Sequence, residues 1–190
     1  NKEGYIFYNT KGDRLLIGVY DDADDFVNGQ AIVASEDFYG VIDRQGNLVI
    51  PFSFNKIILN DQKYKCTSDS GIFVLNRLGD TLSSVPYDYI SDFSEGLAYV
   101  EKDGLYGFID TSYQVKIPLK FPVYTNSRNL ALFKNGSSRV VQLNKMGLID
   151  KAGKKLAPSI FNYIGYFDSL IPITKDGKWG FCNKKIDKVI

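Results

Sequence analysis

The hydrophobic positions of this 190-residue chain are organised around one phrase: two apolar residues, an Asx, two spacers and a Gly. It is clearest as Val41-Ile42-Asp43-Arg44-Gln45-Gly46 and Leu148-Ile149-Asp150-Lys151-Ala152-Gly153. Laid over itself, the chain shows an Asx column at Asn9, Asp43, Asn76, Asp110, Asp150 and Asn183, with spacings of 34, 33, 34, 40 and 33. Three residues on, Gly stands at four of the six positions, with Tyr113 and Ile186 in the other two. Four residues before the Asx stand Tyr5, Tyr39, Ile72, Tyr106, Met146 and Trp179, often followed by Gly. The register also runs upstream, through a Gly-rich column (Gly29, Gln62, Gly96, Gly136, Ser169) and an aliphatic one (Val33, Cys66, Val100, Val140, Ile173). Self-similarity at one period across many columns marks a tandem repeat, whose units bury their apolar faces on their neighbours.

Each unit reads as three short strands. Strand A follows the upstream glycine, as in Gly96-Leu97-Ala98-Tyr99-Val100-Glu101. An Asp-Gly hairpin turn, such as Asp103-Gly104 or Asp176-Gly177, leads into strand B, the aromatic-Gly-apolar-apolar segment. After it the Asx side chain bonds nearby backbone N–H groups and Gly takes positive φ. Strand C is of the Leu48-Val49-Ile50-Pro51 kind, closed by Pro51, Pro86, Pro118 or Pro158. An aromatic-Asx pair follows: Tyr20-Asp21, Phe54-Asn55, Tyr87-Asp88, Phe161-Asn162. Adjacent apolar residues in strand B predict cover on both its faces, and the Gly after the aromatic predicts close approach of a neighbouring strand or ring. Composition points the same way, with 13 Tyr, 13 Phe, 17 Gly and 18 Asp against four Glu and one Met. These residues suit strands and tight turns rather than helices.

Lys178-Trp179-Gly180-Phe181, and the run Phe93-Ser94-Glu95-Gly96-Leu97-Ala98 with Asp103-Gly104-Leu105-Tyr106-Gly107-Phe108-Ile109-Asp110, resemble the bacterial WG-repeat (KWG-repeat) family. The resemblance spans essentially the whole chain, although the signature tryptophan is kept only at Trp179. It implies a bacterial β-repeat protein, often envelope-associated or exported, and carries over no catalytic residue.

The expected fold is all-β. Three-stranded antiparallel units of about 33 residues form one repeat domain over 1–190, about six units stacked as an open, twisted array. A closed β-propeller is the alternative. The 40-residue spacing puts an insertion within 119–132, which a ring would have to carry outside itself. The chain opens at strand B and stops inside strand C of the sixth unit, which points to a longer parent protein.

Histidine is absent, which removes His triads, His bases and His metal ligands. Cys66 and Cys182 stand in aliphatic columns and read as small core residues rather than reactive or bridged thiols. Asp43, Asp110 and Asp150 read as turn residues rather than a cation site, since half their column is Asn. The run Asp21-Asp22-Ala23-Asp24-Asp25 reads as a solvated loop. Glu36, Glu95 and Glu101 are the carboxylates a glycosidase would draw on, but no pair recurs in a recognisable setting. No enzyme activity, cofactor or metal is expected.

Net charge is +1, yet residues 1–100 hold eight Lys+Arg against 15 Asp+Glu and residues 101–190 hold 15 against seven. Such segregation steers partners or promotes head-to-tail contacts that weaken with salt. The basic half lacks a Lys/Arg-aromatic groove, so nucleic acid is not expected, and no apolar run reaches a membrane span. Nothing in the chain reads as a targeting segment. Tyr89, Tyr124 and Tyr163 beside the post-proline loops, and Arg128 in the insertion, are the candidate binding residues. The expected function is a non-enzymatic recognition scaffold binding a protein partner at the bacterial cell envelope, or exported. The alternative is a glycan- or cell-wall-binding module.

Overall fold

The computed structural model describes residues 4–9, 11–14, 18–124, 127–166, 168–183 and 186. Contacts divide the chain into two units, Asn1–Pro86 and Tyr87–Ile190. The first holds the sheet β1 (Asp22–Ala23), β2 (Gln30–Ser35), β3 (Phe38–Asp43), β4 (Leu48–Phe54) and the sheet β5 (Lys56–Asn60), β6 (Lys63–Ser68), β7 (Gly71–Leu75). The second begins with β8 (Tyr89–Ser94), β9 (Leu97–Lys102), β10 (Leu105–Asp110) and β11 (Val115–Pro122), followed by the single helical turn α1 (Ser127–Leu130). Two further sheets complete it: β12 (Ser137–Gln142), β13 (Lys145–Asp150), β14 (Lys155–Phe161), and β15 (Tyr163–Ile164), β16 (Ile171–Lys175), β17 (Lys178–Cys182). Every sheet is antiparallel, its strands lie in chain order, and none closes into a barrel. The all-β class and the repeated antiparallel units are as the pattern predicts.

The turn columns do what their residues require. Asp43 Oδ1 accepts the backbone N–H of Gln45 and Asn47, both at 2.9 Å, and Asn47 Nδ2 donates to Asp43 Oδ2. Asn76 makes the same pair of bonds with Leu78 and Asp80, and Asp150 with Ala152 and Lys154. The third residue on is left-handed whatever its side chain, at φ 83° for Gly46, 62° for Tyr113 and 59° for Ile186. Four of the five hairpins from strand A to strand B turn through two left-handed residues, as at Asp103 (φ 51°) and Gly104 (φ 74°), the geometry that matches strand twist. The Gly after the aromatic is a contact point. A Cβ on Gly40 would lie 2.8 Å from the Ile50 carbonyl oxygen, and one on Gly147 2.7 Å from that of Ala157. At both places strand C shifts register against strand B.

The structure adds a fourth strand to the unit. The segment after each aromatic-Asx pair (β1, β5, β8, β15) pairs with strand A, so that Tyr89 faces Glu101 and Tyr163 faces Thr174. The Asx braces the neighbouring hairpin tip: Asp21 Oδ2 accepts from Glu36 N, Asp88 Oδ2 from Asp103 N and Asn162 Oδ1 from Asp176 N. In the second sheet strand C shrinks to a bridge between Leu75 and Thr81. Residues 187–190, the expected end of the sixth unit, lie outside the described residues.

At two places the residue after the Asx staples one repeat to the one before it. Arg77 donates to the carbonyls of Val27 and Asn28, in the turn that leads into the preceding repeat's strand A. Lys151 does the same to Glu95, meeting its carbonyl at 2.9 Å and its carboxylate at 3.3 Å. Apolar packing joins neighbouring repeats within each unit. One cluster joins Ile32, Val41 and Ile50 to Ile57, Tyr64 and Cys66, and another joins Tyr99, Tyr106 and Phe108 to Phe133, Val140 and Ile149.

Candidate recognition site

The β8–β11 sheet carries a cross-strand row in which Tyr89 faces Glu101, Glu101 faces Tyr106 and Tyr106 faces Phe121. The insertion returns over this row. From α1, Arg128 sets its guanidinium 4.0 Å from the Tyr89 ring centre. Its Nε donates to Glu101 Oε1 at 3.0 Å and its Nη2 to Oε2 at 2.6 Å, a two-pronged pairing of planar groups. The Tyr99 hydroxyl also donates to Oε1, at 2.6 Å. The Glu101 side chain is 6% exposed and that of Arg128 54%, so the acid is sunk and the cation half in water.

Burial pushes the Glu101 carboxyl upward, but hydrogen bonds from Arg128 and Tyr99 and the guanidinium charge outweigh it and hold the group below its ordinary value. The bond to Glu101 in turn holds the Arg128 guanidinium above its usual range. Burial raises the Tyr106 phenol, and the neighbouring Tyr124 adds to that. Tyr89, Arg128 and Tyr124 therefore gather around one sheet face. Thr125 and Asn126, part of the predicted insertion, lie outside the described residues.

Tyr163 sits elsewhere. The row Tyr163–Thr174–Trp179 on β15–β17 is in register with Tyr89–Glu101–Tyr106. The Tyr163 and Trp179 rings are 5.8 Å apart at 48°. Tyr106 is 1% exposed, whereas Trp179, the chain's single tryptophan, is 75% exposed. Beside it a cleft of about 290 Å³ is lined by Ile173, Lys175, Asp176, Lys178, Trp179 and Gly180. Thr174 Oγ1 is buried and has no hydrogen-bond partner among the described residues.

The other candidate acids have places in the fold. Glu36 (φ 53°) forms a hairpin tip, and Glu95 (φ 52°) forms a turn and accepts the Gly136 N–H. Asp22 accepts the Tyr39 hydroxyl at 3.3 Å. Among the described residues no three Cys, Asp or Glu side chains group to hold a metal ion, and no helix is long and apolar enough to cross a membrane. Both cysteines are free and buried, and burial pushes the Cys66 thiol up to about 12. The pairing the sequence reading missed is Glu101 with Arg128. Its signal was present, since Glu101 stands in the column that holds Val141 and Ala34, and an acid at a buried position needs a cation.

The model of the WG containing repeat matches residues 39–59, 74–106 and 146–179, with matched segments in both units. Among solved structures it resembles the extracellular domain of a B. thetaiotaomicron one-component system at 15% identity and a TM-score of 0.35, over 95% of this chain and 29% of that one. It also resembles PorZ, a bacterial surface component of the type-IX secretion system of Porphyromonas gingivalis, at 8% identity and a TM-score of 0.34, over 84% and 25%. A third is Kluyveromyces lactis Hsv2, at 9% identity and a TM-score of 0.36, over 96% and 69%. The chain thus spans less than a third of the length of the first two. No curated protein matches the sequence.

Proposed function

We propose that the chain is a non-enzymatic recognition scaffold that binds a protein partner at the bacterial cell envelope, through the face around the inserted turn. The observation that carries this is the pinning of α1. A half-exposed guanidinium is held over the Tyr89 ring by a buried carboxylate, with Asn129 and Leu132 exposed beside it. An insertion on a rigid repeat is the usual place for contacts that vary between relatives. Arg and Tyr, already ordered, supply binding energy with little loss of side-chain freedom. The envelope setting rests on the WG-repeat resemblance.

The test is co-sedimentation of the whole chain with purified bacterial envelope, intact and after protease stripping, beside an Asn129→Ala/Leu132→Ala variant. Binding that disappears after stripping and weakens at least about tenfold in the variant supports the reading. Binding that survives stripping replaces the protein partner with a glycan. Undiminished binding by the variant moves the site away from the insertion.

A further inference from the structure

An edge strand offers a row of backbone N–H and C=O groups to any extended chain that reaches it, and folds blunt such edges by shortness, proline or a bulge. All three devices occur here. β1 and β15 are two residues long. β4, β11 and β14 carry Pro51, Pro118 and Pro158 and slip register against strand B. β8 slips between Ile90 and Phe93. β12 lies against the inserted turn, where Arg139 Nε donates to the Leu130 carbonyl.

β5, in the first unit, has none of these devices. It stands at the end of its sheet and pairs with β6 in unbroken register over all five residues, Lys56 to Asn60. The two-residue turn Asp61-Gln62 makes Asn60–Lys63 a hydrogen-bonded pair, so Lys56, Ile58 and Asn60 turn their backbone groups toward β6. The N–H and C=O of Ile57 and Leu59 therefore point outward from the sheet edge.

One face of this hairpin is basic. Lys56, Ile58 and Asn60 project to the side opposite the buried Ile57, and their cross-strand partners Thr67, Lys65 and Lys63 share that side. Ile58 is 45% exposed there, and neither β5 nor β6 holds a carboxylate. Three of the eight Lys and Arg of residues 1–100 fall within 56–65, a local reversal in an acidic half. These lysines discriminate between strands. A second copy's β5, run antiparallel so that Ile57 and Leu59 of both are bonded, sets Ile58 against Ile58 and gathers both sets of lysines on one face. An acidic strand meets attraction at the same place.

We infer that β5 is a strand-addition site for an extended segment of a protein partner that carries carboxylates at alternate positions. Main-chain bonds to Ile57 and Leu59 supply the fit, and Lys56 with Lys65 across from Ile58 selects the acidic side chains. The contact is additional to the insertion, which belongs to the second unit.

The experiment titrates the isotope-labelled whole chain, in about 20 mM salt, with a blocked peptide of about seven residues alternating glutamate and valine, up to about 1 mM. Amide NMR shifts and hydrogen exchange are the readouts. Saturable binding is expected, with exchange at the Ile57 and Leu59 amides slowed at least about tenfold. A peptide alternating lysine and valine, and an acidic copy with every backbone nitrogen methylated, are each expected to bind at least about tenfold more weakly. Lys56→Glu, an exposed position, is expected to weaken the acidic peptide about threefold or more. No saturable shift over that range overturns the inference. So does binding that leaves the Ile57 and Leu59 amides unprotected, or equal binding of the lysine peptide. Protection of those amides by raising the concentration of the chain alone also overturns it, since a second copy is then the occupant. No envelope component enters this measurement and its readout lies in the first unit, so its failure is distinct from failure of the insertion-face reading.

Discussion

Removing the Arg128 guanidinium strands a buried acid, and the cost can be worked from the site. Glu101 accepts three hydrogen bonds, two from Arg128 and one from Tyr99. Without Arg128, Oε2 loses its partner at a side chain only 6% exposed. Charged hydrogen bonds contribute about 1.5–3 kcal/mol each, and breaking a fully buried pair costs about 3–5 kcal/mol. Arg128 is itself half in water, so the cost falls below that of a fully buried pair, about 2–3 kcal/mol for Arg128→Leu. At about 4 °C per kcal/mol for a unit of this size, the melting temperature of the second unit falls by roughly 10 °C.

Glu101→Leu loses the same pairing but leaves no stranded acid, and the double variant Arg128→Leu/Glu101→Leu is expected within about 1 kcal/mol of wild type. Urea titration of all four proteins, followed by circular dichroism and the fluorescence of Trp179, closes the cycle. The reasoning is refuted if Arg128→Leu alone lies within about 0.5 kcal/mol of wild type, or if the double variant is as destabilised as the singles summed.

Acid should release the same clasp. The folded Glu101 carboxyl titrates below its ordinary 4.5, so its stabilisation is complete above that pH and is lost as pH falls through the lowered value. Wild-type stability should therefore drop below about pH 4 more steeply than that of Glu101→Gln, measured by urea midpoints across pH. Gly107→Ala drives a methyl into the backbone of Ile117, Pro118 and Leu119 and should cost about 2–3 kcal/mol. Gly96→Ala, with open space around its Cβ and only its φ of 85° to strain it, should cost about 1 kcal/mol by the same urea titration. Cys66, fully buried with its thiol pushed up to about 12, should resist an alkylating reagent at pH 8 until urea unfolds its unit. Labelling at the free-thiol rate in buffer would contradict that burial.

Turn chemistry was the most legible layer of the sequence, because an Asx turn and a two-residue hairpin are local events fixed by a few residues. Tyr113 and Ile186 show how firmly the pattern holds, since both keep the left-handed backbone of a glycine column. The strand after the aromatic-Asx pair was not legible. β1 and β15 are two residues long, too short for alternation to declare them, and their pairing is settled by strand A across the sheet. Of the candidate site, the sequence supplied Tyr89, Tyr124, Tyr163 and Arg128 as separate residues. It did not join Arg128 to Glu101, because they lie 27 positions apart and the link runs through an insertion that obeys no repeat register.

Every strand in these sheets pairs only with a sequence neighbour, across a turn or a short connection. Loops of that length close quickly, and a topology made of them has a low contact order for a β protein. A sheet can therefore form as soon as its own stretch of three or four strands is free, without waiting for a distant partner. A chain delivered end first, from a ribosome or through a narrow pore, meets its folding partners in the order in which it emerges. The steps left for last are the few that reach across registers, and the closing of Arg128 onto Glu101 is one of them.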